Sequence, residues 1–162
     1  MKNRKRGFSL VELLIVLAVI AALIATITPV ALNAIRKAKA TQVAQNLKTL
    51  ASALENAAYV NGTLSTGAIS NASGSDIEIG DLGRDIDATK YGIVYAQTSG
   101  TFEAVIYYIG GDAAPVSVAG VLAEATSTAP TSLPNGTFSD TLGIPYATGT
   151  NYIYYKIDFT VY

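Results

Sequence analysis

The hydrophobic residues are concentrated in one block near the N-terminus. From Phe8 to Ile35 the chain is apolar except for a few polar side chains and one proline. The exceptions are Ser9, Glu12, Thr26, Thr28, Pro29 and Asn33. Because roughly 20 apolar residues span a bilayer as an α-helix, this block (8–35) predicts a transmembrane helix.

Beyond Ile35 the chain becomes polar, but its apolar residues recur at helical spacing. They are Val43, Leu47, Leu50, Leu54 and Ala57. This stripe predicts that residues 36–60 continue the helix and pack one face on a globular head. Asn61-Gly62 then supplies the usual end signal, since Gly readily adopts the left-handed conformation after a helix. The sequence therefore predicts one helix from Phe8 to about Val60.

The rest of the chain predicts a connecting loop over 61–90 and a β-sheet head over 91–162. The predicted strands are Ile77–Leu82 within the loop, then Tyr91–Gln97, Phe102–Ile109, Val116–Leu122 and Tyr152–Val161. Thr98-Ser99-Gly100-Thr101 is typical of a hairpin turn. The last strand alternates strictly, with Ile153, Tyr155, Ile157, Phe159 and Val161 on one face. The fold class predicted is α+β, an antiparallel sheet with one face on the helix.

Two residue types are absent from the sequence, and their absence limits the catalytic and metal-binding sites that the chain can form. The 162 residues contain no Cys and no His, which removes disulfides, thiolate metal sites and the commonest general base. The sequence also lacks Gly-x-Ser-x-Gly and P-loop motifs. We therefore expect no enzyme activity and no cofactor.

Charge is strongly segregated along the chain. Lys2, Arg4, Lys5 and Arg6 make residues 1–7 basic, whereas residues 61–162 hold ten carboxylates against three cations. By the positive-inside rule, the basic leader should stay in the cytoplasm and the acidic head should lie outside the cell. An acidic head is also a poor ligand for nucleic acid, which binds clustered Lys and Arg. No small-residue cleavage site follows the apolar block before Arg36, so the helix should be retained.

Glu12 and the residues around it carry the most specific signal. A carboxylate within an apolar helix is costly in a bilayer and usually marks function or a partner. Alternatively, a single Glu near the membrane interface could extend its side chain so that the carboxylate stays in water. The surrounding string is Gly7-Phe8-Ser9-Leu10-Val11-Glu12-Leu13-Leu14-Ile15-Val16.

This string resembles the N-terminal signature of type IV pilins and of type II secretion pseudopilins. The resemblance covers about the first third of the chain. It implies that a prepilin peptidase removes residues 1–7, cutting between Gly7 and Phe8, and that Phe8 is then N-methylated. It also implies that Glu12 pairs with the terminal amine of a neighbouring subunit during assembly by inner-membrane machinery. The fold implied is a long N-terminal helix packed on an antiparallel β-sheet head.

Pro29 interrupts the apolar block, where it removes a backbone hydrogen bond and crowds the carbonyl of Ala25. We expect a kink or local unwinding over residues 22–28, with Thr26 and Thr28 satisfying the freed carbonyls. In the pilins that this chain resembles, the helix is thought to melt at such a proline on assembly. Many of them have a Gly where this chain has Ala21, which leaves the extent of melting open.

The densest acidic cluster lies in the connecting loop. Its members are Asp76, Glu78, Asp81, Asp85 and Asp87. Calcium prefers such oxygen ligands, but the spacing is not that of an EF-hand and a solvated acidic loop is the commoner explanation. The Ser/Thr/Pro-rich stretch 126–141 is either an unmodified surface loop or a carrier of O-glycans, as in some pilins.

Three functions compete on these observations. The first is a pilin that polymerises with itself into an extracellular filament for adhesion, twitching motility or DNA uptake. The second is a pseudopilin of a type II secretion system, which the head of about 100 residues and the lack of an obvious calcium loop slightly disfavour. The third is a membrane-anchored extracytoplasmic binding protein or enzyme.

Overall fold

The computed structural model describes residues 7–162, which fall into two compact units. The first unit ends at Ile35 and the second is Arg36–Tyr162. The basic side chains predicted to hold the leader in the cytoplasm all precede residue 7 and lie outside the described residues. The element order is one long helix, a short helix, two strands, a second short helix and two further strands.

The long helix α1 covers Leu10–Asn61. Gly62 follows with φ +72°, the left-handed conformation that the Asn61-Gly62 pair predicted. The prediction of one helix from Phe8 to about Val60 therefore agrees with the structure to within two residues at each end.

The unwinding predicted near Pro29 does not occur in this structure, because α1 is helical without interruption through that residue. The two threonines also bond to carbonyls other than the one freed by proline. Thr26 Oγ1 donates to the Leu23 carbonyl at 2.9 Å, and Thr28 Oγ1 donates to the Ile24 carbonyl at 2.7 Å. Both are local side-chain bonds that a regular helix accommodates.

The head contains a four-stranded, fully antiparallel sheet in the order β3-β1-β2-β4. The strands are β1 Tyr91–Thr98, β2 Thr101–Tyr108, β3 Phe138–Gly143 and β4 Ile153–Thr160. Ser99 and Gly100 join β1 to β2 in a two-residue turn with φ angles of 50° and 84°. Two positive φ angles match the tight hairpin turn predicted for this position. The α+β fold class, a long helix on an antiparallel sheet, is confirmed.

The helical stripe of the second unit packs on one face of the sheet. The buried residues of α1 are Ala40, Val43, Ala44, Leu47, Leu50, Ala51, Leu54 and Ala58. They meet Ile93, Phe102, Ile106 and Phe159 from the facing strands. The face of β4 predicted to be apolar is the one that contacts this core. Burial of both apolar stripes is the main stabilising contribution to the head.

The opposite face of the sheet carries a second, smaller core. Val94, Val105, Tyr107 and Tyr154 are buried there beneath the segments on either side of β3, which contribute Ala129, Ile144, Tyr146 and Tyr152. Tyr107 hydroxyl donates to the Ile144 carbonyl, and Tyr154 hydroxyl donates to the Ala147 carbonyl at 2.9 Å. These bonds tie the covering segment after β3 to the strands.

Three predictions about short elements were wrong. The predicted strand Ile77–Leu82 is instead the one-turn helix α2, Ile79–Leu82, and the predicted strand Val116–Leu122 is the helix α3, Pro115–Ala119. Pro115 occupies the first turn of α3, where its fixed φ favours a helix. Strand β3 was missed because it lies at the end of the Ser/Thr/Pro-rich stretch.

Candidate functional site

The N-terminal motif begins as an irregular segment and becomes helical at Leu10. Gly7, Phe8 and Ser9 precede α1, and Phe8 is 87% exposed. A Cβ placed on Gly7 would meet no heavy atom within 4 Å. The peptide bond between Gly7 and Phe8 is therefore open to solvent and outside regular structure.

Ser9 and Glu12 cap the start of α1 in a variant of the capping box, in which the Ser9 hydroxyl accepts from the second helical residue instead of the third. The Ser9 backbone N–H donates to Glu12 Oε2 at 2.8 Å, and the Val11 N–H donates to Ser9 Oγ at 3.4 Å. The Leu13 N–H donates to the Ser9 carbonyl at 3.2 Å, the first bond of the helix. Each side chain thus satisfies one backbone donor that the helix end leaves without a partner.

The capping role of Ser9 was not predicted, although the sequence contains its signal. Ser-x-x-Glu immediately before an apolar run is the sequence signature of a capping box. The structure also shows that Glu12 has a local partner within its own chain. Its carboxylate is held by one bond from Ser9, and an ionised carboxylate can accept several.

The rest of the first unit presents apolar side chains to solvent on every side. All sixteen large apolar side chains from Phe8 to Ile35 are between 46% and 87% exposed. The helix is long and apolar enough to cross a membrane. A helix that is hydrophobic all round requires an apolar environment, either lipid or other helices.

Two of the acidic loop residues considered for calcium, Asp81 and Asp87, hold local structure through side-chain hydrogen bonds. Asp81 Oδ2 accepts from the Glu78 backbone N–H at 3.0 Å, at the start of α2. Asp87 accepts from the Thr89 hydroxyl and from the Thr89 N–H, and these bonds lower the pKa of Asp87 below its usual value. Among residues 7–162 no group of three or more carboxylates is placed to hold a metal ion together.

A charged cleft lies beside α1 at the entrance to the second unit. Asp112 lies 3.6 Å from Lys39 Nζ and 3.9 Å from Lys90 Nζ, and the Asn46 amide donates to the Tyr91 hydroxyl at 3.0 Å. The cleft has a volume of about 130 Å³. Pockets for small-molecule ligands usually measure about 300–1,000 Å³, so this cleft is a poor candidate ligand site.

Comparison with known families identifies the N-terminal segment. Residues 2–28 match the prokaryotic N-terminal methylation motif, which is the class III prepilin signal of type IV pilins and pseudopilins. No curated protein and no solved structure matches the chain. The motif supports a structural subunit of the pilin or pseudopilin type, made as a membrane-anchored precursor.

Proposed function

We propose that this chain is the subunit of an extracellular type IV pilus. It is inserted in the cytoplasmic membrane, cut between Gly7 and Phe8, methylated at Phe8, and polymerised through its apolar helix. The observation that carries the proposal is the methylation motif at residues 2–28, which runs into the first half of α1, where all large apolar side chains are exposed. The acidic head then forms the outer surface of the filament.

The cleavage site supports processing by a prepilin peptidase. A peptidase must bind its substrate in an extended conformation, and residues 7–9 are not helical. The capping box starts α1 at Leu10, two residues beyond the proposed cut. Ser9 thereby keeps the helix from extending into the cleaved bond.

Cleavage creates the charge that Glu12 is proposed to neutralise. The new amine on Phe8 lies one residue before the Ser9 N–H that already contacts the carboxylate. In the filament core, an ammonium and a carboxylate buried together cost less than either alone. We propose that Glu12 keeps its hydrogen bond from Ser9 and also accepts one from the terminal amine of a neighbouring subunit. This pairing sets the axial register between subunits.

Charge pairing matters because apolar contact alone does not favour the filament over the membrane. Lipid tails are as apolar as the side chains of α1, so helices leave lipid only for better packing or polar bonds. A helix that served only as an anchor would therefore stay in the bilayer. The pairing of Glu12 with an amine supplies a polar interaction that favours the filament. Pro29 supplies a point at which the helix can melt during assembly.

The filament is proposed to serve adhesion, twitching motility or DNA uptake. Direct binding of DNA along the shaft is disfavoured by the ten carboxylates and three cations of residues 61–162. The inner-membrane assembly machinery is the other partner that this function requires.

The test is mass spectrometry of filaments purified from the native cells. We expect a subunit that begins at methylated Phe8. Gly7→Val serves as a matched variant, because it should block the cut and leave an unprocessed precursor in the membrane. A mature protein that retains residues 1–7 would instead indicate a membrane-anchored binding protein. Electron microscopy separates the two filament types, since a secretion pseudopilus is short and a pilus is long.

A further inference from the structure

Helix α3 has apolar residues on its outer side as well as on its core side. Val118 is fully buried in the main core. Val116 is 86% exposed, and Val121, just after the helix, is 53% exposed. Single exposed apolar residues are common on protein surfaces, so the position of this pair decides whether it has a role.

The two valines lie at the end of the head where α1 enters it. Val121 and Ser117, the neighbour of Val116, line a groove with Lys37 and Thr41, which lie in the first polar turns after the apolar block. Ala40 is the first buried residue of α1, and every described residue before it is exposed. The α3 segment therefore belongs to the first layer of the head along α1.

That layer coincides with the expected surface of the bilayer. The apolar block ends at Ile35, and Arg36, Lys37 and Lys39 follow it directly. All three cations are exposed, and only Lys39 has a salt bridge among the residues described. Cationic side chains beside exposed apolar ones are the combination that binds an anionic lipid surface.

We propose that the base of the head docks on the outer surface of the membrane while the precursor is anchored. The docking surface consists of Val116 and Val121, which enter the lipid interface, and of Arg36 and Lys37, which contact anionic headgroups. The inference rests on the membrane-anchored precursor of the proposed function. Its consequence is that a subunit must undock from lipid before it joins the filament.

Single-cysteine labelling tests the docking, because the chain contains no native cysteine. Val116→Cys and Val121→Cys, each in the full uncut chain, are labelled with a fluorophore. The protein is reconstituted in vesicles of phosphatidylglycerol and phosphatidylcholine. Quenching by a lipid-attached quencher is compared with quenching by iodide. Thr101→Cys is the aqueous control, because Thr101 is exposed and pairs with Thr160 beside Tyr59, near the opposite end of α1. Leu17→Cys is the control for membrane insertion.

We expect the lipid-attached quencher to act several-fold more strongly at Val116→Cys and Val121→Cys than at Thr101→Cys. The difference should shrink in vesicles of phosphatidylcholine alone, because the cations then lose their anionic partners. Equal quenching at all three head positions, with Leu17→Cys quenched by lipid, would overturn the docking but leave membrane insertion intact. Protection of position 116 from both quenchers would also overturn it, since a second copy of the chain would then cover the valines. Failure of lipid quenching at Leu17→Cys would instead contradict the anchored precursor.

Discussion

The two halves of α1 are built from similar aliphatic residues and differ in what covers them. From Phe8 to Ile35, the part of the first unit with described large apolar side chains, each of them is at least 46% exposed, whereas Leu47, Leu50 and Leu54 in the second unit are fully buried. The second half is amphipathic and meets the sheet of its own chain. The first half is apolar on all sides and must be covered by lipid or by other subunits. One unit buries its apolar face within its own chain, and the other needs an apolar environment outside its own chain.

The largest expected effect separates assembly from folding. Glu12→Ala should abolish filaments while cleavage and the fold of the head persist, because the amine of the neighbouring subunit loses its partner. An uncompensated buried charge costs about 3–5 kcal/mol, and the cost recurs at every subunit. Electron microscopy of filaments and mass spectrometry of the membrane fraction measure the two outcomes. Glu55→Ala, on the same helix within the head, is the control. Abundant normal filaments from Glu12→Ala would contradict the pairing.

The same substitution placed in each half of α1 tests the comparison directly. Leu50→Ala should lower the free energy of unfolding of the head by about 2–5 kcal/mol, because it leaves a cavity at a fully buried site. Leu17→Ala, at a site that is 57% exposed, should leave that free energy unchanged and affect filament yield. Chemical denaturation of the full chain in detergent, followed by tyrosine fluorescence, measures the difference. Equal destabilisation by both would show that the halves do not fold independently.

The buried tyrosines make the head, unlike the first unit, sensitive to alkaline pH. Burial raises the pKa of Tyr95 and that of Tyr107 from 10.0 to about 12. Folding therefore favours the protonated phenol, and this contribution is complete below pH 10 and is lost as pH rises towards 12. The free energy of unfolding should fall across that range.

Tyr95→Phe checks the assignment of this pH dependence. The decline between pH 10 and 12 should be shallower in the variant, because position 95 no longer ionises. At neutral pH the variant should be less stable by about 1–3 kcal/mol, since the Ile69 N–H loses its acceptor at 3.1 Å. Tyr162→Phe, at a fully exposed position, is the matched control. It should change neither the decline between pH 10 and 12 nor the stability at neutral pH. An unchanged decline in Tyr95→Phe would assign the loss of stability to other groups.

The long-period patterns of the sequence predicted the main architecture, and the short segments did not. Helical spacing from Val43 to Ala57 and the alternation of Ile153 to Val161 both matched the core that they form. Segments such as Val116–Leu122 are too short for periodicity to distinguish a strand from a helix, and tertiary packing decided between them. Strand β3 is stabilised by its pairing with β1 rather than by its own composition.

At the candidate site, the motif was predictable from the sequence, but the local partner of Glu12 was not. The string from Gly7 to Val16 indicated the methylation motif, which the family match then supported. The partner of Glu12 in the free chain was not anticipated, because the carboxylate was considered only as a charge and not as a helix cap. The roles proposed for Gly7, Phe8, Glu12 and Pro29 remain predictions, since each acts in a complex with a peptidase or with other subunits.

The smallest expected effect distinguishes the two roles of Glu12. Ser9→Ala removes the acceptor of the Val11 N–H but keeps the backbone N–H that Glu12 binds. Loss of an N-cap hydroxyl costs about 1 kcal/mol, so the first turn of α1 should fray and the Val11 amide should exchange several-fold faster. Ser9→Thr, which retains the oxygen, should restore slow exchange. Filaments should still form in Ser9→Ala, because the carboxylate remains available to the neighbouring amine. If Ser9→Ala abolished filaments as completely as Glu12→Ala, assembly would require an intact helix cap, and the loss in Glu12→Ala would no longer be assigned to charge pairing.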